Sequence, residues 1–494
     1  MQLPKEQFLR ARRIFEKIYR NDKISVRASV DTLKEQLNLY LDHLGSHTGK
    51  KISEDERKRI FAIVDRNNEV AKILASKDFK EITQKNRNLL GPVALSVVFC
   101  IDGRIPAIFL GGRFSTHWEE PAGEITASFR KSDGNLIPES SELCESMRNM
   151  TFSGRDILEV IFAHTSFLGH GCGAMAAKKK AGLIDPKASP EDANIKIINE
   201  KSIPALTNIY NEFRNQKGLA ELKRVGICAL YDTDTFGILL NYDKKDKGLL
   251  FSTTELTNEF RNEMDDFFIK ENLVFGSFKE TFSELKHLTK FLENVYLITS
   301  KLLSLEGFRL LRQTIENYIK KNYPELTLNQ KNALRFLLIY TISFQYLTGS
   351  SATSKDNYYH PFVHHEEEYM AVSTRGTVIG KFDPQDQGFA STPSDAGTAV
   401  SNIKTKISIM AGAKENKSKP YILFICNPIA LRDLAENSNL LHKTMDASAE
   451  LLRKINDDKD LGNMIEEGKI IPVPILLAAD NRAVLKIIDH SAYI

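Results

Sequence analysis

Apolar residues recur at three- and four-residue spacing in "FLRARRIFEKIY", "VDTLKEQLNLYLDHL", "EDERKRIFAIVDRNNEVAKILA" and "DFKEITQKNRNLL", so residues 5–85 read as amphipathic helices. The pattern then changes. "VALSVVFC" (93–100), "ILEVIFAH" (157–164) and "VGICALYD" (225–232) are short and almost wholly apolar, as strands buried on both faces are. Helical spacing lies between and after them, in "AMAAKKKAG" and "IPALTNIYNEFRNQ". Strands separated by helices in this way predict an α/β fold, a mainly parallel sheet flanked by helices. Residues 255–350 return to helix, with "LITSKLLSLEGFRLLRQTIENYIKKN" the longest amphipathic stretch. Strands resume in "EEEYMAVSTRG" (366–376), "PYILFICNP" (420–428) and "IPVPILLAAD" (471–480).

The order of these elements repeats. The loop "RFSTHWEEPAG" (113–123) and the loop "GFASTPSDAG" (388–397) share Phe, Ser, Thr, Pro, an acidic residue and Ala-Gly. Each follows a strand ending in a polar cluster, "FCIDGR" or "VSTRG", and precedes an apolar strand, "VIFAHT" or "ILFICNP". Further on, "GICALYDTDTFGILL" matches "ILLAADNRAVLKII", and a helical arm precedes each set. Internal duplication is the expectation. Residues 1–87 would form a helical domain, 88–250 an α/β domain, and 251–494 a second copy with its own helical arm (251–354) and α/β unit (355–494). The copies differ where chemistry would sit. Ser373 stands near the Cys100 position, Arg375 near Asp102 and Cys426 near His164, and nothing corresponds to Cys172.

Composition narrows the picture modestly. At 494 residues the chain exceeds what one core usually organises, and its 42% hydrophobic and 27% charged residues are those of a globular protein. A net charge of +3 from 67 basic and 64 acidic residues gives no pull toward nucleic acid or membrane. "MQLPKEQFLRARRIFEKIY" lacks the continuous apolar core of a secretory signal. "FLLIYTISFQYL" (336–347) is too short for a membrane span, which needs about 20 apolar residues, and reads as a buried helix. Five cysteines, at 100, 144, 172, 228 and 426, argue against a disulfide framework and for a reducing cytosol.

Candidate chemistry gathers at strand ends. Two thiolates and one imidazole are a known catalytic zinc set, which Cys100, His164 and Cys172 can supply if their strands lie side by side. The carboxyl ends of an open parallel sheet are where ligands bind. Cys172 opens a good helix start, "CGAMAAKKK", where backbone N–H groups and the positive end of the dipole favour thiolate. Two thiolates cancel the formal charge of Zn²⁺, so a bound water is acidified less than it would be beside three imidazoles. Asp102 can orient the metal's hydroxide by accepting its hydrogen bond, or bind the metal and close the site. Arg104, two residues along the same strand face, can hold that carboxylate away in a bidentate pair.

Other residues carry plainer readings. Cys144, Cys228 and Cys426 read as core packing. His170, between Gly169 and Gly171, is the less favoured ligand, and His117 reads as a surface residue with a proton shuttle as the alternative. "HPFVHHEEEY" (360–369) resembles a zinc-binding HExxH helix but lacks the second His at the required spacing.

These residues resemble the β-class carbonic anhydrases. The family's Cys-x-Asp-x-Arg stands here as Cys100-Ile101-Asp102-Gly103-Arg104, its Ala-Gly loop as Ala122-Gly123, and its last core strand in Tyr231, Asp232 and Gly237. The resemblance covers residues 88–242. It implies Zn²⁺ on Cys100, His164 and Cys172, Asp102 with Arg104 as the catalytic dyad, and reversible hydration of CO₂ to bicarbonate by zinc-bound hydroxide. The spacing departs from the family. Seven residues separate His164 from Cys172 where ordinary members have two. The enlarged loop, the helical amino-terminal domain and the degenerate second copy resemble the carboxysomal shell subgroup. That implies an intrachain pseudo-dimer, with homo-oligomers built on it. The chain lacks a long disordered amino-terminal tail, so both cytoplasm and carboxysome stay open as compartments. Two alternatives keep the site: hydrolysis of CS₂ or COS, and a non-catalytic zinc scaffold in a bicarbonate-handling assembly. The Asp102–Arg104 pair counts against the scaffold.

Overall fold

The computed structural model describes residues 26–91, 93–100, 115–120, 155–165, 172–218, 221–271, 288–349, 388–391, 420–429, 438–478 and 483–489, with 400, 403, 404 and 407. Three helices come first, α1 (Val26–Thr48), α2 (Glu54–Ala75) and α3 (Lys77–Leu90). A capping box starts α2: the Glu56 N–H donates to Ser53 Oγ at 3.2 Å, and the Ser53 N–H to Glu56 Oε2 at 2.6 Å. The first sheet takes β1 (Val93–Cys100), β2 (Ser115–Glu120), β3 (Asp156–Thr165), β4 (Arg224–Asp232), β5 (Gly237–Leu240) and β6 (Phe251–Ser252). Between β3 and β4 run α4 (Gly173–Lys180), α5 (Pro190–Ile197), a π turn (Ile198–Ser202) and α6 (Ile203–Lys217). Five helices follow, α7 (Thr253–Glu259), α8 (Arg261–Lys270), α9 (Leu288–Ser304), α10 (Arg309–Asn322) and α11 (Leu328–Thr348). The second sheet has β7 (Gly388–Ser391), β8 (Tyr421–Ile429), β9 (Ile470–Ala478) and β10 (Val484–Ile487), with α12 (Ser438–Asp457) and α13 (Lys459–Glu466) between β8 and β9.

The molecule is mixed α/β, and its two sheets share an arrangement. The first has the order β2-β1-β3-β4-β5-β6 and the second β10-β9-β8-β7. In the first, β1, β3 and β4 are parallel neighbours and β5 is antiparallel to β4. In the second, β7, β8 and β9 are parallel neighbours and β10 is antiparallel to β9.

Two expectations need correction. Both segments read as loops contain strand: Ser115–Glu120 pairs with β1, and Gly388–Ser391 pairs with β8. Each lies at the edge of its sheet, where no two-sided apolar run is required, so polarity disguised it. Moreover β7 lies directly beside β8, the place β1 has beside β3, although its residues resemble those of β2. The long helical stretch over 297–322 is two helices. Leu305 is extended, a 3₁₀ turn over Glu306–Phe308 buries Phe308, and the Arg312 guanidinium donates to the Leu305 carbonyl. Gly307 lies within that turn. The expected helix before residue 26 and the expected strand at 366–376 lie outside the described residues.

Strand alternation sets what each face meets. Ile157, Ile161 and Ala163 of β3 pack with Ile195, Leu206 and Tyr210 of the crossover helices. Leu158, Val160 and Phe162 share a core with Val295, Leu334 and Leu338 of α9 and α11. In the second sheet, Leu423 and Ile425 pack with Leu451 and Ile455 of α12, and Ile422 and Phe424 with Leu37, Leu41 and Val64 of α1 and α2. Helices α1 and α2 therefore cover the second sheet, whereas α3, through Ile82 and Leu90, stays with the core of the first, which α9 and α11 also cover.

Hydrogen bonds fix both arms. Tyr40 Oη donates to the Pro472 carbonyl at 2.7 Å, and Asn68 Oδ1 and Gln36 Oε1 accept from the N–H groups of Val484 and Ile487 at 2.7 and 3.2 Å. On the other arm, Gln330 Nε2 donates to the carbonyls of Ile157 (2.9 Å) and Lys223 (3.2 Å), and Thr327 Oγ1 to Asp156 Oδ2 at 2.9 Å. The apolar segment 336–347 lies in α11 and is buried from Phe336 to Gln345, and among the described residues no helix is long and apolar enough to cross a membrane.

A buried ion pair ties the strands together. Arg224 meets Glu159 with side chains 1% and 0% exposed, donates to Thr207 Oγ1, and lies 5.1 Å from the Tyr210 ring centroid. Ser96 Oγ donates to Glu159 Oε1 at 3.1 Å. Removing one partner strands a buried charge, so Arg224→Met is expected to cost roughly 3–5 kcal/mol. Adding Glu159→Leu should recover a large part of that loss. Denaturant titration of both variants checks it, and a single variant as stable as the parent contradicts it.

Candidate metal centre

Adjacent parallel strands bring two of the expected ligands to one edge. The β1–β3 register runs from Val93↔Asp156 to Val98↔Ile161, so Cys100, the last residue of β1, lies level with the end of β3. His164 is the penultimate residue of β3 and pairs with Tyr231 of β4. It is 1% exposed. Cys172, 2% exposed, immediately precedes α4 and belongs to the core that holds Phe162, Met175 and Tyr231. By strand alternation His164 shares the sheet face of Leu158, Val160 and Phe162, which is the face of that same core. The imidazole and the thiol are thus buried on one face at the carboxyl end of the sheet.

The remaining expected residues are less fully placed. The side chain of Cys100, the dyad Asp102 and Arg104, and His170 lie outside the described residues. His117 falls within β2, paired with Val97, and not in a loop; its side chain too lies outside them. Among the described residues no three His, Cys, Asp or Glu side chains cluster as a metal site, but that set holds only His164 and Cys172 of the expected donors. Cys228 packs against the crossover core and burial pushes its thiol up, as a structural cysteine requires.

Beside His164 the β4–β5 turn is tightly built. Asp232 ends β4 opposite Thr165, and its Oδ1 accepts the Asp234 N–H at 3.0 Å while Oδ2 accepts the Thr235 hydroxyl. Both the N–H and the hydroxyl of Thr233 donate to the Thr165 carbonyl at 3.0 Å. Thr165 Oγ1 donates in turn to Glu191 Oε1 of α5 at 2.9 Å. Phe236 has a left-handed φ of 58°, and a Cβ on Gly237 would run into Thr254 Oγ1. The Asp-Thr-Asp-Thr run signals such a turn in the sequence, because Asp side chains cap the backbone two residues on. That it clamps the strand carrying His164 is a tertiary fact.

Burial raises the Asp232 carboxyl from 3.8 to about 6, against the opposing hydrogen bonds from Thr235 and Asp234. Since the folded value lies above the unfolded one, the unfolded chain loses this proton first. Chelator-treated protein should therefore lose stability as pH rises from about 4 to about 6, by about 3 kcal/mol from this group. Asp232→Asn should flatten that slope. Denaturation midpoints across the window compare the two, and equal slopes contradict the assignment.

The corresponding edge of the second sheet is filled differently. Cys426 of β8 is buried, and Asn427 Nδ2 donates to Ser448 Oγ at 3.2 Å and to the Ile475 carbonyl at 3.0 Å. An amide network occupies the strand end there. Comparison of the chain with protein-family models and with curated proteins returns no match.

Proposed function

We propose that this chain is a zinc-dependent carbonic anhydrase of the β-class type, hydrating CO₂ reversibly to bicarbonate. The observation that carries the reading is a buried His164 near the carboxyl end of β3, the parallel neighbour of the strand that ends at Cys100, with a buried Cys172 just before the helix that follows. A buried imidazole and a buried cysteine would supply two ligands to a zinc ion, and Cys100, at a strand position level with Ala163 of the crossover face, would have to supply the third from the strand end. Zinc, when bound there, supplies a Lewis acid that lowers the pKa of a coordinated water toward neutrality. Asp102 would accept a hydrogen bond from the coordinated oxygen and orient it toward CO₂. Arg104 would hold the Asp102 carboxylate in a bidentate pair and keep it from becoming a ligand.

The second copy takes the role of a partner subunit within one chain. Two observations support this: three parallel neighbours followed by an antiparallel strand in each sheet, with β7 in the place of β1, and the packing of α1 and α2 on the second sheet while α9 and α11 cover the first. A copy that serves as neighbour need not keep ligands, in line with Cys426, Asn427 and Ser448 at its strand edge.

The dyad gives the sharpest test of the mechanism. Asp102→Asn and Arg104→Ala are expected to keep stoichiometric zinc and lose most CO₂ hydration. Stopped-flow rates with metal analysis on the same samples measure both. Either variant hydrating CO₂ at the parental rate contradicts the roles given.

A further inference from the structure

We propose that Gln345, on helix α11 of the second half, is a positioning residue for His164 in the first. The proposal rests on the reading of His164 as a zinc ligand. Gln345 is fully buried, in a helix segment otherwise dominated by apolar side chains such as Leu338, Ile342 and Phe344. A Leu or Met would fill that volume without a polar group to satisfy. Instead every amide atom is used. Gln345 Nε2 donates to the Thr235 carbonyl at 3.0 Å and to Thr254 Oγ1 at 2.8 Å, and Oε1 accepts from Thr257 Oγ1 at 3.2 Å.

From Gln345 the contacts lead to the end of β3 without a break. The Thr235 residue whose carbonyl Gln345 holds donates its hydroxyl to Asp232 Oδ2, and Asp232 Oδ1 takes the Asp234 N–H. These bonds fix the turn, and the turn's Thr233 delivers two donors to the Thr165 carbonyl. Thr165 is the residue after His164. With its hydroxyl on Glu191, the backbone that carries the imidazole is gripped from the β4–β5 turn and from α5 together. The grip has to be maintained, because Phe236 occupies a backbone region uncommon for an aromatic residue and persists only where its surroundings impose it. Gly237 leaves no space for α11 and α7 to slip, since Thr254 and Gln345 close on it. A metal ligand needs its ring held to a few tenths of an ångström, and residues that orient ligands typically change metal affinity 10–100-fold when lost. Gln345 therefore makes the second half part of the metal site without contributing a ligand.

The test uses the full-length chain loaded with cobalt(II), whose d–d absorption reports ligand geometry. Affinity is read by chelator competition, alongside the melting temperature. Gln345→Met and Thr233→Val, the second keeping the N–H and removing only the hydroxyl, are expected to weaken metal binding about tenfold or more and to alter the d–d band. Thr299→Val is the control. It removes another buried hydroxyl of the same helical layer, bonded to Ser343 Oγ at 2.9 Å, and should leave affinity and band within about twofold of the parent even if it melts lower. Parental affinity and spectrum in a folded Gln345→Met overturn the positioning role, as does an equal loss in Thr299→Val. Should Gln345→Met not fold, Thr233→Val decides, and parental behaviour there overturns it. A parent chain that binds no cobalt, or His164→Ala binding as tightly as the parent, overturns the ligand assignment itself and this role with it.

Discussion

Cys100→Ala and Cys172→Ala are each expected to abolish zinc binding and CO₂ hydration, while His170→Ala should leave zinc stoichiometry largely intact. This result is expected from the donor arithmetic. A catalytic zinc has three protein ligands and one open position, so losing a thiolate leaves two ligands and too little affinity to retain the ion. The choice of His164 over His170 rests on position. His164 is fixed within β3, on the face where Cys172 is buried, and the turn beside it grips the next residue twice. Metal analysis of the four variants, His164→Ala included, checks the set. Zinc lost in His170→Ala and retained in His164→Ala would reverse the ligand assignment.

Removing residues 1–75 is expected to unfold or aggregate the chain, although those residues precede the first sheet, because α1 and α2 pack on the second. Leu37, Leu41, Leu44, Ile60 and Val64 lie in one core with Ile422, Phe424, Val473 and Ile475. Each such side chain contributes about 1.5–3 kcal/mol by burial, so a handful matches the 5–15 kcal/mol by which a domain is typically stable. The same cut exposes the N–H groups of Val484 and Ile487, which Asn68 and Gln36 now satisfy, and opens an unpaired strand edge. The converse cut gives the converse loss: residues 1–250 alone lack α7–α11, the cover of the first sheet, and should be insoluble and inactive. Size-exclusion chromatography and thermal melting of 76–494 and 1–250 measure both. A soluble fragment 76–494 with a cooperative melt, or an active monomeric 1–250, contradicts the exchanged-arm account.

The sequence announced some of this architecture and concealed the rest, for physical reasons. Strands β1, β3 and β4 stand within a residue of their expected bounds because both their faces are buried, which leaves an unbroken apolar signal. Edge strands β2 and β7 carry no such signal and read as loops. Helical periodicity told which faces of α1, α2 and α11 would be buried, but not against what. Nothing local says that the amino-terminal arm crosses to the second sheet. The site divides in the same way. Residue types and strand ends pointed to Cys100, His164 and Cys172, since those signals are local. Thr233, Thr165 and Gln345 are joined through contacts of long sequence separation, and only an amide within the apolar stretch 336–347 hinted at the last.

The carboxyl edge of the first sheet is proposed to hold a catalytic zinc. The most direct measurement combines the zinc content of the purified, reduced full-length chain with stopped-flow CO₂ hydration on the same preparation. The account predicts one zinc ion per chain and fast hydration that is lost on chelation and regained on adding zinc back. A chain without zinc, or a fully zinc-loaded chain that hydrates CO₂ no faster than buffer, would contradict it.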